Sequence, residues 1–520
     1  MLFNSTEFIF LFLPVVLVGF FWIAGASHRL AALWLAVASL FFYGWWNPKF
    51  VLLLLASVGF NYGMGYAIGH ARVSDTSTSR AKRLLIVALA ANLALLGYFK
   101  YTNFFLATVN TVAGTGWKLR DIVLPLGISF FTFTQIAFLV DTYRGIAREY
   151  NFIHYLLFVT YFPHLIAGPV LHHKEMMPQF GLSSTYRFSY ENMSVGMTIF
   201  CIGLFKKVVI ADSIGRYVGP VFNAPGADIP LSFLEAWGGA LCYTLQLYFD
   251  FSGYSDMAIG LSRLFGVALP LNFHSPYKSA NIIEFWRRWH MTLSRFLRDY
   301  LYFPLGGNRK GPARRYLNLM LTMLLGGLWH GAGWTYVVWG GLHGMYLGLN
   351  HAWQSARNRL WPNHAGTPSM PARVLSVLIT FLAVVVGWVV FRADSLLTAS
   401  ALLEAMAGMN GFVLPDAWLI TWGGVGQWLL AHGVAFGPTN NLIMGDAMVG
   451  ICISLLIAWF APNTQQLMAS FKPALDCPES HQAKPLLWSP TVPWAFCVFC
   501  LGFSSLVMLS DQSPFLYFQF

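Results

Sequence analysis

Gly326-Gly327-Leu328-Trp329-His330-Gly331-Ala332-Gly333-Trp334 sets one ionisable side chain inside a long apolar segment, framed by glycines and tryptophans. Just upstream lies the densest basic cluster of the chain: Lys278, Arg287, Arg288, Arg295, Arg298, Arg309, Lys310, Arg314 and Arg315. Such a cluster marks the cytoplasmic side of a membrane protein. A helix starting near Arg315 would carry His330 about 22 Å along its axis, well inside a hydrocarbon layer roughly 30 Å thick. An ionisable group at that depth is costly and points to a functional site. Arg315 and Arg357 are both basic ends, yet the segment between them barely allows two crossings of about 20 residues each. The economical solution is a hairpin broken at its glycine-rich apex. Irregular backbone at membrane depth is tolerated only where it lines protein or a watery cavity, so His330 is expected in a cavity.

Working outward, 57% of the 520 residues are hydrophobic and only 10% are charged, too little polar surface to cover a soluble globule of this size. The expected fold class is an all-α polytopic membrane protein. Apolar runs near 8–24, 30–43, 50–69, 84–98, 122–140, 151–167, 192–212, 236–261, 374–391, 443–461 and 487–509 are the candidate helices. The first has no basic n-region and no small-residue cleavage pattern, and reads as a retained helix. Arg29, then Arg72, Arg80, Lys82 and Arg83, then Arg144 and Arg148 fall on alternate loops, which puts the N-terminus outside the cytoplasm. The same alternation puts the aromatic tail Ser513 to Phe520 outside, as an interfacial anchor.

A net charge of +11 would suit a nucleic-acid binder, but nine basic residues against two acids between Lys278 and Arg315 explain most of it as membrane topology. No nucleic-acid partner is expected; membrane lipids and a cytoplasmic anionic ligand are. Cys201, Cys242, Cys452, Cys497 and Cys500 sit in apolar runs and Cys477 in a cytoplasmic loop, which argues against a disulfide framework. No cysteine set has metal spacing, and His172-His173 reads as a loop pair, so no metal site is expected.

Asn281 to Tyr300 alternates aromatic or aliphatic residues with arginines at helical spacing and predicts an interfacial amphipathic helix. Its guanidiniums either anchor the protein at the headgroups or hold donor phosphates at a cytoplasmic entrance. Pro304 to Pro312 reads as a tight turn. Asp250 and Asp256, six residues apart in an apolar span, do not share a helical face; they are expected to be structural, bonded to backbone or to arginines of the basic segment.

Tyr161-Phe162-Pro163-His164-Leu165-Ile166-Ala167-Gly168-Pro169, Gly203-Leu204-Phe205-Lys206-Lys207, Tyr248 to Gly260, Asn272 to Tyr277, Phe285 to Asn308 and Leu328-Trp329-His330-Gly331 together resemble the membrane-bound O-acyltransferase (MBOAT) family, in the family's order. Within it the likeness is strongest to members that O-acetylate alginate. His164 is a departure, where another polar residue such as glutamine is expected. The likeness runs to about Asn350 and returns in the last eight residues, so residues 1–350 are expected to form the catalytic core and 351–520 a C-terminal transmembrane bundle.

The resemblance implies a helical funnel of re-entrant and interfacial helices around a central histidine. It implies that His330 is catalytic and that His290 occupies a position where bacterial relatives carry histidine and eukaryotic ones asparagine. The expected reaction is direct acetyl transfer from acetyl-coenzyme A to a hydroxyl, with no bound cofactor and no covalent enzyme nucleophile, and with neutral imidazole as the base. Donor contacts are expected from Trp286, Arg287, Arg288, Asn308, Arg309 and Trp329. His290 would polarise the carbonyl or hold the donor. The expected setting is a bacterial inner membrane, with an extracytoplasmic acetyltransferase partner, the exopolysaccharide machinery and an exported polymer such as alginate as acceptor. Acetylation of peptidoglycan or cellulose, or D-alanyl transfer to teichoic acid, is the alternative within the class. A transporter using His330 as a proton relay is the alternative outside it, disfavoured because only one broken segment is evident.

Overall fold

The computed structural model describes residues 1–520 apart from 74–77, 148–150, 167, 228, 361–368, 438–444, 477–486, 510–515 and 517–520. Arg148, Cys477 and, except for Leu516, the aromatic tail therefore lie outside the described residues. The described chain is helical almost throughout, and every expected apolar run carries helix. Those used below are α1 (Phe8–Ala24), α2 (His28–Gly44), α3 (Lys49–Val73), α4 (Ser79–Ala113), α5 (Ile128–Arg144), α6 (Phe152–Thr160), α7 (Tyr190–Phe205), α8 (Phe233–Leu264), α9 (Ile282–Arg288), α10 (Met291–Leu297), α11 (Gly311–His330), α12 (Trp334–Leu360), α13 (Met370–Arg392), α14 (Leu396–Met406), α15 (Gly445–Phe460) and α16 (Val492–Val507). Among the described residues, four segments are long and apolar enough to cross a membrane: α3, α4, α13 and the run from Tyr190 to Asn223 that begins with α7. Large apolar side chains such as Trp22 of α1 and Leu52 of α3 face outward, as a lipid-solvated surface requires. The protein is a multi-pass membrane protein.

The long α8 is the axis. Its Ser232–Glu235 capping box fixes the start, where the Phe233 N–H donates to the Gly411 carbonyl. Helices α7, α13, α14 and α15 pack along it. The α7–α8 contact is set by glycine. Gly196 meets Gly260 and Gly203 meets Gly253, so the helices run antiparallel; a Cβ on Gly203 would lie 2.6 Å from the Gly253 carbonyl oxygen. Seven residues separate the glycines in each helix, which is two turns, so both contacts fall on one face.

That close approach brings the next residues together. Lys207 Nζ stands 2.7 Å from Asp250 and from Asp212, and Lys206 Nζ stands 2.5 Å from Asp256. Asp256 also accepts from Thr464 Oγ1 at 2.6 Å and Gln465 Nε2 at 3.0 Å, and Asp250 accepts the Leu516 N–H at 3.1 Å. Both carboxylates are thus structural as expected, but their cations are lysines of the α7 run, not arginines of the basic segment. Leu516 is buried, so at that residue the tail is a core contact and not an interfacial one.

The interfacial segment differs from the single amphipathic helix its periodicity suggests. It breaks into α9 and α10 at Trp289-His290, where His290 takes the left-handed conformation (φ 43°). The reason is tertiary: the Met291 N–H donates to the Asn272 carbonyl at 2.9 Å and the Thr292 N–H to the Asn272 side chain at 3.3 Å, which pulls the start of α10 out of line with α9. The turn after it is as expected, with Gly306 and Gly307 at positive φ.

Candidate active site

The hairpin between the two basic ends is present. Helix α11 ends at His330, residues 331–333 are non-helical, and α12 begins at Trp334 and returns past Arg357. The two arms pack tightly because a Cβ on Gly340 would lie 2.3 Å from the Met323 carbonyl oxygen. At the break Gly331 lies under the Tyr336 ring, where a Cβ would lie 2.1 Å from it.

His330 is the last residue of its helix and is buried at 6% exposure. Its ring packs edge-on against Trp329 at 5.0 Å, Trp339 at 5.2 Å and Phe391 at 5.4 Å between centroids. His290, fully buried, stands 6.3 Å from it. Trp329 packs on His290 and stacks on Phe133 of α5.

The last carbonyls of α11 have no donor within their own helix. Two side chains of α4 supply the bonds. Tyr101 Oη donates to Leu328 at 2.9 Å; Lys100 Nζ donates to Trp329 at 2.5 Å and to His330 at 3.0 Å, with Ser129 Oγ at 3.4 Å. The cation also meets the negative end of the helix dipole. Sequence reasoning missed both residues. The signal was present: Lys100 is a lone cation in an apolar run, taken as ending two residues too early.

His290 is oriented by Asn272. The Nδ1 atom lies 3.1 Å from Asn272 Oδ1, which also accepts from the Thr292 hydroxyl at 2.9 Å and from the Thr292 N–H. Because that oxygen is an acceptor, Nδ1 of neutral His290 donates and Nε2 carries the lone pair. Asn272, too, was seen in the sequence only as part of a motif.

On the basic side of this layer opens a cavity of about 520 Å³, whose wall includes Trp286, Arg287, Met291, Thr292, Arg295, Arg298, Met323 and His351. His290, which precedes Met291 in the chain, is not itself among the lining residues, and neither is His330, which packs among aromatic rings and does not line this cavity as its glycine-rich frame suggested. Of the residues expected to contact a donor, Trp286 and Arg287 line this cavity, and Trp329 lies deeper, in the histidine layer. Arg288 is held by Glu284 at 2.7 Å, and Asn308 and Arg309 are exposed on the turn; none of these three lines the cavity. Arg295 and Arg298 do, Arg295 with Glu175 at 2.6 Å.

His172 and His173 belong to a polar cluster beside the cavity. Tyr300 Oη donates to Asp141 at 2.8 Å, His172 Nδ1 lies 3.0 Å from Tyr300 Oη, and His173 Nδ1 lies 3.4 Å from Asp141. Burial, with the Arg295 cation next in importance, pushes His172 down to about 4. Among the described residues no three histidine, cysteine, aspartate or glutamate side chains converge as metal ligands.

The profile of the membrane-bound O-acyltransferase family matches residues 134–387, which include both histidines and the cavity wall up to His351. The chain is 40% identical to the peptidoglycan O-acetyltransferase of Helicobacter pylori, over all of this chain and 98% of that protein. It is 41% identical to the probable alginate O-acetylase AlgI of Pseudomonas aeruginosa, over the whole of both. A teichoic acid D-alanyltransferase of Streptococcus thermophilus is 28% identical over 54% of this chain and 70% of its own length. A full-length likeness at this identity, over a helix hairpin broken at a buried histidine, settles the class: the chain belongs to the membrane-bound O-acyltransferase family and is an O-acyltransferase.

Proposed function

We propose that this enzyme moves an acetyl group from a cytoplasmic thioester donor, acetyl-coenzyme A, to a hydroxyl presented from the other side of a bacterial inner membrane. In this reading His330 takes the proton of the hydroxyl as its oxygen attacks the thioester carbonyl. The thiolate leaves and recovers that proton from the imidazolium. What supports the reading is the pair of buried rings, 6.3 Å apart at a helix break, with Met291, the residue after His290, in the wall of a cavity that Arg287, Arg295 and Arg298 also line. Guanidiniums suit donor phosphates by geometry and charge. His290 holds the donor in this scheme and does not polarise its carbonyl, because Nε2 of the neutral ring accepts and an amide-bearing donor arm offers N–H groups.

The final acceptor in this reading is an exported polysaccharide, alginate first, reached through an extracytoplasmic acetyltransferase partner of the exopolysaccharide machinery. Peptidoglycan is the second reading, favoured by the 40% identity with a peptidoglycan O-acetyltransferase over essentially the full length of both proteins. The test is complementation of a strain lacking the chain, with acetyl esters measured on the exported and wall polymers. Wild type should restore esters to one polymer and His330→Ala should not. Restoration by the alanine variant at normal abundance rules His330 out as the base.

A further inference from the structure

We infer that Lys100 is a positioning residue of the acyl transfer, fixing His330 through the carbonyls at the end of α11; this rests on the reading of His330 as the base. The sequence of α11 alone does not say where its last residue points. A helix that stops just before a glycine has several ways to finish, and unwinding one more residue would swing the final side chain round by roughly 100°. The end observed is tied from outside the hairpin. Tyr101 holds the carbonyl of Leu328, and Lys100 holds those of Trp329 and His330.

Lys100 itself is aimed by two further contacts. Ser129 Oγ of α5 lies 3.4 Å from Nζ, and Nζ stands 5.9 Å from the centroid of the Trp329 ring. Phe130 and Phe133, the neighbours of Ser129 on α5, press on that same indole. The α4–α5 layer therefore fixes the residue before His330 by its ring and by its carbonyl. An amino group suits this place because its several N–H donors can bridge two carbonyls at once, at the end of the helix whose dipole also favours positive charge. Reaction geometry is sensitive to such control: a misplacement of about 1 Å costs on the order of a hundredfold in rate.

The experiment compares Lys100→Met, Lys100→Gln and Lys100→Arg with wild type and His330→Ala. Polymer acetyl-ester content is measured in the deletion strain at matched membrane abundance. Arg should restore most acetylation, because it keeps the charge and several donors; Gln should be intermediate, and Met should fall at least tenfold. Purified variants should lose turnover of acetyl-coenzyme A, read as thiol release, while the donor KM stays within about twofold. Normal acetylation by Lys100→Met overturns the proposal. So does a series in which Arg and Gln rescue no better than Met at equal abundance, since that is the pattern of a site required only for packing. A donor KM that moves together with turnover overturns it as well. The two readings fail separately: an active His330→Ala removes the base, whereas an inactive His330→Ala beside an active Lys100→Met removes only Lys100.

Discussion

The rings of His290 and His330 stand 6.3 Å apart, and each sits at an end of a helix: His290 just before the first residue of α10, His330 on the last residue of α11. Neither ring is placed by its own helix alone. Asn272 orients one and Lys100 with Tyr101 secures the backbone of the other, so the pair depends on segments far apart in the chain.

His330→Ala should insert normally and abolish acetylation. The cavity it leaves is walled by Trp329, Trp339 and Phe391, which keep ring contacts of their own, Trp329 with Phe133 and Trp339 with Phe391. His290→Asn should keep measurable activity, since the amide oxygen can still accept. Acetyl content at equal abundance checks both. An asparagine variant as dead as His330→Ala would assign His290 a proton-transfer role.

Donor affinity should separate the arginines by position. Arg287→Gln removes a cavity-wall guanidinium and should raise the donor KM roughly ten- to a hundredfold, as expected for a charge-assisted phosphate contact of about 1.5–3 kcal/mol. Arg309→Gln, on the exposed turn, should leave it unchanged, and Arg288→Gln, paired with Glu284, should have little effect. The Arg287 effect should shrink with a donor lacking the 3′-phosphate. A donor KM left unchanged by all three substitutions would make the cluster a topology signal only.

Sidedness follows from the ends of α8. Its start touches Gly411, and beyond its end Asn272 binds the start of α10. Single cysteines at Arg309 and Met409, with the six native cysteines replaced, should react with a membrane-impermeant maleimide from opposite sides. Labelling of both from outside would overturn the entry route for the donor.

Gly203→Ala should destabilise the protein in detergent by about 1–3 kcal/mol, because the new methyl group meets the Gly253 carbonyl on a backbone that cannot yield. Thermal unfolding measures it. An unchanged midpoint would mean that α7 and α8 can slide apart without loss.

Stability should fall in acid through His172. Its ring stays neutral in the folded protein down to about pH 4, whereas the unfolded chain protonates it near 6.5. Its stabilising contribution is therefore full above about pH 6.5 and is lost as pH falls towards 4, by on the order of 3 kcal/mol at the limit. His172→Gln should flatten the dependence of the unfolding midpoint between pH 7 and 5. Parallel curves for the two proteins would count against it.

The membrane class and the broken hairpin were legible because they rest on composition, charge and glycine spacing around His330, all local in sequence. The break at His290 was not, since Asn272 imposes it from 18 residues away and the amphipathic period runs straight through it. Lys100 was visible as a lone lysine beside an apolar run, but what it binds was not, because its carbonyl partner lies 229 residues on. The glycine pairs 196/203 and 253/260 were in plain view, but a spacing of seven acquires meaning only when two helices are known to be neighbours. Lysine partners for Asp250 and Asp256 follow from that contact, so they were out of reach as well.

The distance along the chain between Lys100 and its carbonyls has a consequence for biogenesis. Ribosomes deliver α4 to the insertion machinery well before residues 329 and 330 exist, so the ammonium group enters a bilayer that does not yet contain its ligands. Those bonds can form only once the hairpin of α11 and α12 has been made, so the closure of this end of α11 is a late event in assembly.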